Sequence, residues 1–290
     1  MFSSKEYALL DFGDGRRLER FGRYVLDRPC PAAESFRQAN SDLWPTADAR
    51  FDGRDQEQGQ WFCRRELPER WNIAHGSLRF ELKRTEFGHL GIFAEQVENW
   101  DWMMERIRLP ASQSPEKKLK ILNLFAYTGG STLAAAVAGA ETVHVDAAQN
   151  VVAWARRNAA ISGLADAPIR WITEDALKFV KRELKRGSRY DAVILDPPSY
   201  GHGPHGEVWR LSKHLPRLLS LCAELTAGRL RFVLLTCHTP GYDAASLRAM
   251  VAEAFSMGVS EEVVARPLAI RAVDGREMPS GAVVRCGKCR

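Results

Sequence analysis

Five short segments of this 290-residue chain end in groups that could bind or react. NLFAYTGG (123–130) follows an apolar run and breaks into Thr128, Gly129 and Gly130. VHVD ends at Asp146 and IRWITED at Asp175. VILDPPSYG supplies Asp196, Pro197, Pro198 and Tyr200, and FVLLTCHTPG supplies Cys237 and His238. Glycines let a backbone approach a ligand closely and adopt positive φ. An acid about 20 residues past such a turn can accept hydrogen bonds from both ribose hydroxyls. A carboxylate at Asp175 could reach an adenine edge. Each group also has a plain structural reading. Asp at a strand–helix junction commonly caps the helix, Pro197-Pro198 could only stop a strand, and a free cysteine is often a buried small hydrophobe.

What makes these groups a set is where they fall on the elements that must hold them. Strands are expected at 120–125, 142–146, 169–173, 191–195 and 230–236, with helices at 131–138, 149–162, 175–186 and 208–226 between or after them. In the 149–162 helix Val151, Ala155, Asn158 and Ile161 are spaced for one face, with Arg156 and Arg157 on another. Alternating strand and helix at this interval means right-handed βαβ units, hence an α/β fold with a Rossmann-like, doubly wound parallel sheet. In such sheets ligands lie beyond the carboxyl ends of the strands, and that is where all five segments end. After 243–256 come strands at 259–266 and 281–286, with a turn at Asp274-Gly275 between them.

Residues 1–109 read differently, as a small β-rich domain. YALLDF, RYVLD, QWFCRREL and LRFELKRTEF are separated by turn signals at Asp14-Gly15, Asp52-Gly53 and His75-Gly76. Trp44, Trp61, Trp71, Trp100 and Trp102 fall in this region. Interleaved Trp and Arg can stack on bases, but packing in a small sheet is the commoner role. Residues 97–108 read as a helix and 110–118 as a linker, which puts the domain boundary at 109/110.

A dinucleotide enzyme would use the same ribose acid but would need G-x-G-x-x-G to bring backbone to a pyrophosphate. Here Phe125 and Tyr127 stand in place of the first two glycines. A ligand with adenosine and no phosphates, S-adenosylmethionine, fits better. NLFAYTGG, Asp146, Asp175 and DPPSYG together resemble a class I S-adenosylmethionine-dependent methyltransferase and, more narrowly, the bacterial 23S ribosomal RNA cytosine-5 methyltransferases. That family carries N-L-F-x-Y-T-G-G, D-P-P-x-[FY] and a preceding G-x-F-x-[DE]-Q, matched here by Gly91-Ile92-Phe93-Ala94-Glu95-Gln96. The likeness covers roughly residues 85–285. No stretch resembles the PUA module of longer members; the first hundred residues look like the small β-domain of compact ones.

The resemblance implies S-adenosylmethionine as cofactor, contacted by Phe93, Gln96, Asn123, Phe125, Tyr127, Thr128, Gly129, Asp146, Asp175 and Asp196. It implies an RNA partner, ribosomal RNA foremost, with Pro197, Pro198 and Tyr200 against the acceptor base. Cytosine C5 needs covalent activation, a thiolate adding to C6, before it can take a methyl group. Cys237 matches the family's nucleophile, and Asp196 would hold the base edge. The same Asp-Pro-Pro-aromatic element also serves methylation of nitrogen, where no cysteine is required. Other acceptors (a base nitrogen, a protein, a small molecule), a nicotinamide-dependent dehydrogenase and a non-catalytic cofactor-binding module are the alternatives.

Composition bounds the rest. The chain is 45% hydrophobic and 27% charged, as in globular proteins able to bury a core, and no apolar run reaches a membrane span. The N-terminus does not read as a secretory signal, so the expected compartment is the cytoplasm. Residues 1–110 hold 17 Lys and Arg against 19 Asp and Glu, and residues 111–290 hold 24 against 17, which makes the second part mildly basic. Six scattered cysteines suit neither a disulfide framework nor, with Cys286 and Cys289 as a lone CxxC, a zinc site. No metal is expected, and Cys222 is expected in the core.

Overall fold

The computed structural model describes residues 1–53, 58–109, 118–256 and 261–288. The expected 110–118 linker (all but Lys118), the start of the 259–266 strand and Cys289 lie outside the described residues. The chain forms two compact units: Met1–Val97 with Ala269–Ser280, and Glu98–Leu268 with Gly281–Arg290.

In the first unit, β1 (Tyr7–Gly13), β2 (Arg16–Phe21), β3 (Tyr24–Pro29), β4 (Ala49–Asp52) and β5 (Gln60–Cys63) form one sheet in that order. The pairs are antiparallel except β3 with β4, which is parallel. β6 (Arg70–His75) and β7 (Leu78–Lys83) form an antiparallel hairpin through the left-handed Gly76. Phe12, Leu18, Phe21, Leu26, Phe51 and Phe80 are fully buried here. β2, β4 and β6 were not anticipated. Asp11 gathers this unit: it accepts from Trp44 Nε1 at 2.9 Å, from the amides of Ala39 and Asn40 at 3.1 and 3.0 Å, and from Arg276. Residues 269–280 join the unit through that ion pair and a 2.9 Å bond from Val273 N to Leu9 O.

The second unit opens with α1 (Val97–Arg108) and then alternates β8 (Lys120–Leu124), α2 (Gly130–Val137), β9 (Glu141–Asp146), α3 (Gln149–Ile161), β10 (Ile169–Thr173), α4 (Ala176–Lys185) and β11 (Ala192–Leu195). A short hairpin, β12 (Tyr200–His202) with β13 (Val208–Arg210), precedes α5 (Leu211–Thr226), β14 (Phe232–Cys237), α6 (Ala244–Ala254), β15 (Glu261–Arg271) and β16 (Glu277–Lys288). The large sheet runs β10-β9-β8-β11-β14-β16-β15. Its first five strands are parallel, and β16 returns antiparallel to β14. The chain moves outward from β8 through β9 to β10, then restarts on the other side of β8 at β11. That reversal puts a crevice at the carboxyl ends of β8 and β11.

Three expectations need correction. The boundary falls at Val97/Glu98 rather than 109/110, because α1 packs within the second unit. There Trp102 meets Phe232 edge-on at 5.5 Å, and Asn99 Oδ1 accepts from Arg285 Nη2 at 2.6 Å. The helix expected from 208 begins at Leu211, because Val208–Arg210 pairs with Tyr200–His202 instead. On α3 the buried stripe is Val152, Ala155, Asn158 and Ala159, and Ile161 is exposed. Asp274-Gly275 does turn the chain, with Gly275 N donating to Ala272 O at 3.0 Å.

Candidate active site

β8 is buried from Ile121 to Leu124, and the chain leaves it through a strained turn. Phe125 and Tyr127 take φ of 55° and 50°, and Gly129 takes 93°. Positive φ at bulky residues costs on the order of 1–3 kcal/mol each and persists only where surroundings enforce it. Four hydrogen bonds enforce it here. Ala126 N donates to Val145 O at 3.1 Å, Gly129 N to Ala126 O at 3.0 Å, and Asn158 Nδ2 to Thr128 O at 2.9 Å. Tyr127 N donates to Asp146 Oδ2 at 2.8 Å. A Cβ at Gly130 would collide with the Trp100 ring, so this position requires glycine.

Asp146 closes β9 and is half-buried. Its other oxygen, Oδ1, accepts from Ala148 N at 3.0 Å. Burial raises its carboxyl above the ordinary range, and the amides of Ala148, Tyr127 and Ala147 offset this only in part. The amides of Ala126, Tyr127 and Gly129 are therefore spent within the protein and on the acid rather than presented as a phosphate cradle. This suits a ligand that donates hydroxyls to a carboxylate and brings no phosphate, as adenosine without a pyrophosphate would.

The other predicted residues divide. Asp175 is the N-cap of α4, accepting from Lys178 N at 2.8 Å, so the plain structural role is realised. Asn123 is buried and donates from Nδ2 to Thr132 Oγ1 at 2.8 Å; that oxygen lies 2.9 Å from His144 Nδ1. Asn123 thus ties β8 to α2 from beneath the turn. Phe93 and Gln96 belong to the first unit, with Phe93 packed edge-on against His89 at 5.9 Å and Gln96 buried.

Beside β8, β11 ends at Leu195, and Asp196 follows it. Thr236 Oγ1 donates to Asp196 Oδ1 at 2.6 Å, and His238 Nε2 lies 3.2 Å from the same oxygen. Pro197 is buried, while Pro198, Ser199 and Tyr200 are exposed. Tyr200 starts the β12–β13 hairpin, and its hydroxyl lies 3.1 Å from His202 Nε2. Trp209 on the return strand was missed from the sequence. It donates from Nε1 to Pro198 O at 2.7 Å and packs on the Phe125 ring at 4.8 Å, which joins the Asp-Pro-Pro segment to the strained turn. The glycines at 203 and 206 with Val-Trp-Arg after them were the available hairpin signal.

Cys237 sits at the tip of β14, next to Thr236, but its side chain is 0% exposed. Period-two alternation puts Val233, Leu235 and Cys237 on the core face with Leu195, Leu218 and Leu219. Burial raises its thiol, and the nearby Asp196 charge raises it further, against a hydrogen bond from Thr239. A nucleophilic thiolate needs the opposite shift. Cys222 is in the core as expected. Among the described residues no cluster of His, Cys, Asp and Glu could hold a metal, and no helix is long and apolar enough to cross a membrane.

Comparison with known proteins agrees with this geometry. Residues 48–267 match the family model described as S-adenosylmethionine-dependent methyltransferase. A solved S-adenosylmethionine-dependent methyltransferase from Agrobacterium tumefaciens is similar at 37% identity, covering 97% of this chain and 90% of that one, with a TM-score of 0.90. Ribosomal RNA large subunit methyltransferase I of Aeromonas hydrophila is 34% identical over 115 residues, and methyltransferase K/L of Chromohalobacter salexigens is 29% identical over 163. Those matches take in 39% and 55% of this chain but only 27% and 21% of the relatives' own length.

Proposed function

Since the chain belongs to the family of S-adenosylmethionine-dependent methyltransferases, we propose that its acceptor is RNA, in the cytoplasm, and that the acceptor atom is a base nitrogen. Ribosomal RNA is the first candidate, because the curated relatives carry that substrate in their names. The observation that carries the reading is the position of Asp196 and its Pro197-Pro198-Ser199-Tyr200 extension. They stand at the carboxyl end of β11, the strand that pairs with β8, whose own end forms the turn anchored on Asp146.

The bound cofactor supplies a methyl group on a sulfonium, activated for displacement. Everything else falls to the chain. Asp146 accepts hydrogen bonds from the ribose hydroxyls and, through Tyr127 N, keeps the turn in the shape that admits the ligand. The exposed Tyr200 ring offers a stacking surface for a base. The Asp196 carboxylate accepts a hydrogen bond from the acceptor's N–H and directs its lone pair at the methyl carbon. The nitrogen would gain the methyl group that the cofactor supplies and give up its proton. The displaced proton passes to Asp196 and His238, 3.2 Å apart. Positioning of this kind needs no covalent nucleophile.

Cytosine C5 is the second reading, favoured by one observation: Cys237 follows Thr236, the residue bonded to Asp196. Its burial and raised thiol weigh against it. The test is incubation of the full-length protein and methyl-labelled S-adenosylmethionine with RNA, with protein extract, and with small-molecule extract. Label in RNA nucleosides supports the reading; label only in protein or in small molecules overturns it.

A further inference from the structure

The first unit contains a cleft of ≈800 Å3 lined by Lys5, Glu6, Arg20, Arg23, Arg70 and Trp71, with Tyr24 and Asn72 beside them. The volume lies within the range of about 300–1,000 Å3 that bound ligands fill. Its charge is local. Residues 1–97 hold 15 Lys and Arg against 16 Asp and Glu, yet four cations and one acid line this cleft. The acid is engaged, since Glu6 Oε2 accepts from Ala74 N at 2.8 Å. Of the cations, Arg70 pairs with Glu81 at 2.5 Å. Lys5, Arg20 and Arg23 have no carboxylate partner among the described residues. Arg20 donates to the Ser4 carbonyl, and Arg23 to the Tyr24 hydroxyl.

Aromatic rings line the same walls, Trp71 partly exposed and Tyr24 buried behind it. Tyr24 and Trp71 meet edge to face at 5.4 Å, and the guanidinium of Arg23 lies 5.1 Å from the Tyr24 ring centre. Trp71 Nε1 has no hydrogen-bond partner among the described residues, although a buried indole N–H usually finds one. Unpaired cations beside aromatic rings, in a groove with a polar amide at Asn72, are the elements by which proteins hold single-stranded nucleic acid without base sequence readout.

We propose that this cleft binds a single-stranded segment of the RNA substrate, with Lys5, Arg20 and Arg23 on phosphates and the partly exposed Trp71 ring, backed by the buried Tyr24, against a base. The proposal rests on RNA being the acceptor, and it adds a binding surface made wholly by the first unit.

The test uses the full-length protein and a fluorescent single-stranded oligoribonucleotide of about 12 nucleotides, within the site sizes such grooves cover. Anisotropy is measured across a salt series for the wild type, for the double variant Lys5→Glu/Arg23→Glu, and for Lys181→Glu/Lys185→Glu, a charge-matched change on α4. Thermal unfolding and S-adenosylhomocysteine binding report on folding. The cleft variant is expected to bind RNA at least tenfold more weakly. Its dependence of log affinity on log salt should be shallower by about 1.4, at about 0.7 for each phosphate no longer neutralised. It should keep its stability and its affinity for S-adenosylhomocysteine. A cleft variant that binds as the wild type does overturns the proposal, as does an equal loss in the α4 variant; if the wild type still methylates RNA, the RNA reading stands. Tighter binding of polyglutamate than of RNA also overturns it. A wild type that neither binds nor methylates RNA removes the acceptor reading and the cleft together.

Discussion

Thr236 Oγ1 donates a 2.6 Å hydrogen bond to Asp196 Oδ1, joining the tips of two adjacent parallel strands. This bond fixes the carboxylate at the carboxyl end of β11. Asp196→Asn keeps the shape and replaces an acceptor with a partial donor. Methyl transfer should fall by about 10²–10⁴-fold, as for loss of a group that handles a proton in the transition state, while S-adenosylhomocysteine affinity changes little. Thr236→Val should cost less, about tenfold in kcat. Single-turnover rates compared with calorimetric affinities check both, and equal rates in Asp196→Asn would remove this carboxylate from the chemistry.

Asp146 should control cofactor affinity and its pH dependence. Hydrogen bonds to a charged group are worth about 1.5–3 kcal/mol each, so Asp146→Ala should weaken S-adenosylhomocysteine at least tenfold. Its carboxyl is raised by burial, and ribose hydroxyls donate best to the ionised form. Binding therefore favours loss of the proton: affinity is full above the raised pKa and declines as pH falls through it. Titration calorimetry over a pH series should show this decline in the wild type and not in Asp146→Asn. Unchanged affinity in the alanine variant would take Asp146 out of the site.

His144 predicts a stability trend. Burial, with a smaller contribution from Arg156, lowers its pKa to about 3, below the usual value of about 6.5 that it regains on unfolding. Between these values the unfolded chain binds a proton that the folded one refuses. Its contribution to stability is complete above pH of about 6.5 and is lost as pH falls toward about 3. Urea midpoints of the wild type should drop over this window more steeply than those of His144→Gln. An imidazole signal from His144 that titrates near neutrality would contradict the assignment.

Gly281 tests the packing at the end of β14. It has φ of 119°, and a Cβ there would collide with the Cys237 carbonyl oxygen. Gly281→Ala should destabilise the protein by at least about 1–3 kcal/mol, read as a lowered urea midpoint at unchanged slope. Wild-type stability in this variant would mean the backbone there is not held as described.

The strand-tip logic was legible because the buried parallel strands β8, β11 and β14 read as apolar runs that break into turn or polar residues, and the Asp274-Gly275 turn was legible from its residue types. Side-chain roles were less legible. Period two alone could assign Cys237 to the face opposite Thr236, but only the packing of α5 shows that this face is the closed core. Asp175 illustrates a different limit: the same residue type at the same junction serves a cap or a ligand. Trp209 went unseen because its partners, Phe125 and the Pro198 carbonyl, are distant in sequence. The domain boundary misplaced α1 because a helix followed by prolines resembles the end of a domain, whereas Trp102 and Asn99 commit it to what comes after.

The most direct test of a nitrogen acceptor is nucleoside mass spectrometry of RNA methylated in vitro by wild type and by Cys237→Ala. Removing a buried sulfur should cost some stability, and S-adenosylhomocysteine binding verifies that the variant is folded. The same N-methylated nucleoside is expected from both enzymes, with the variant's rate within about tenfold of wild type, because a nitrogen lone pair needs orientation and not a covalent adduct. A product of 5-methylcytidine, lost entirely in a Cys237→Ala enzyme that still binds S-adenosylhomocysteine, would contradict a nitrogen acceptor.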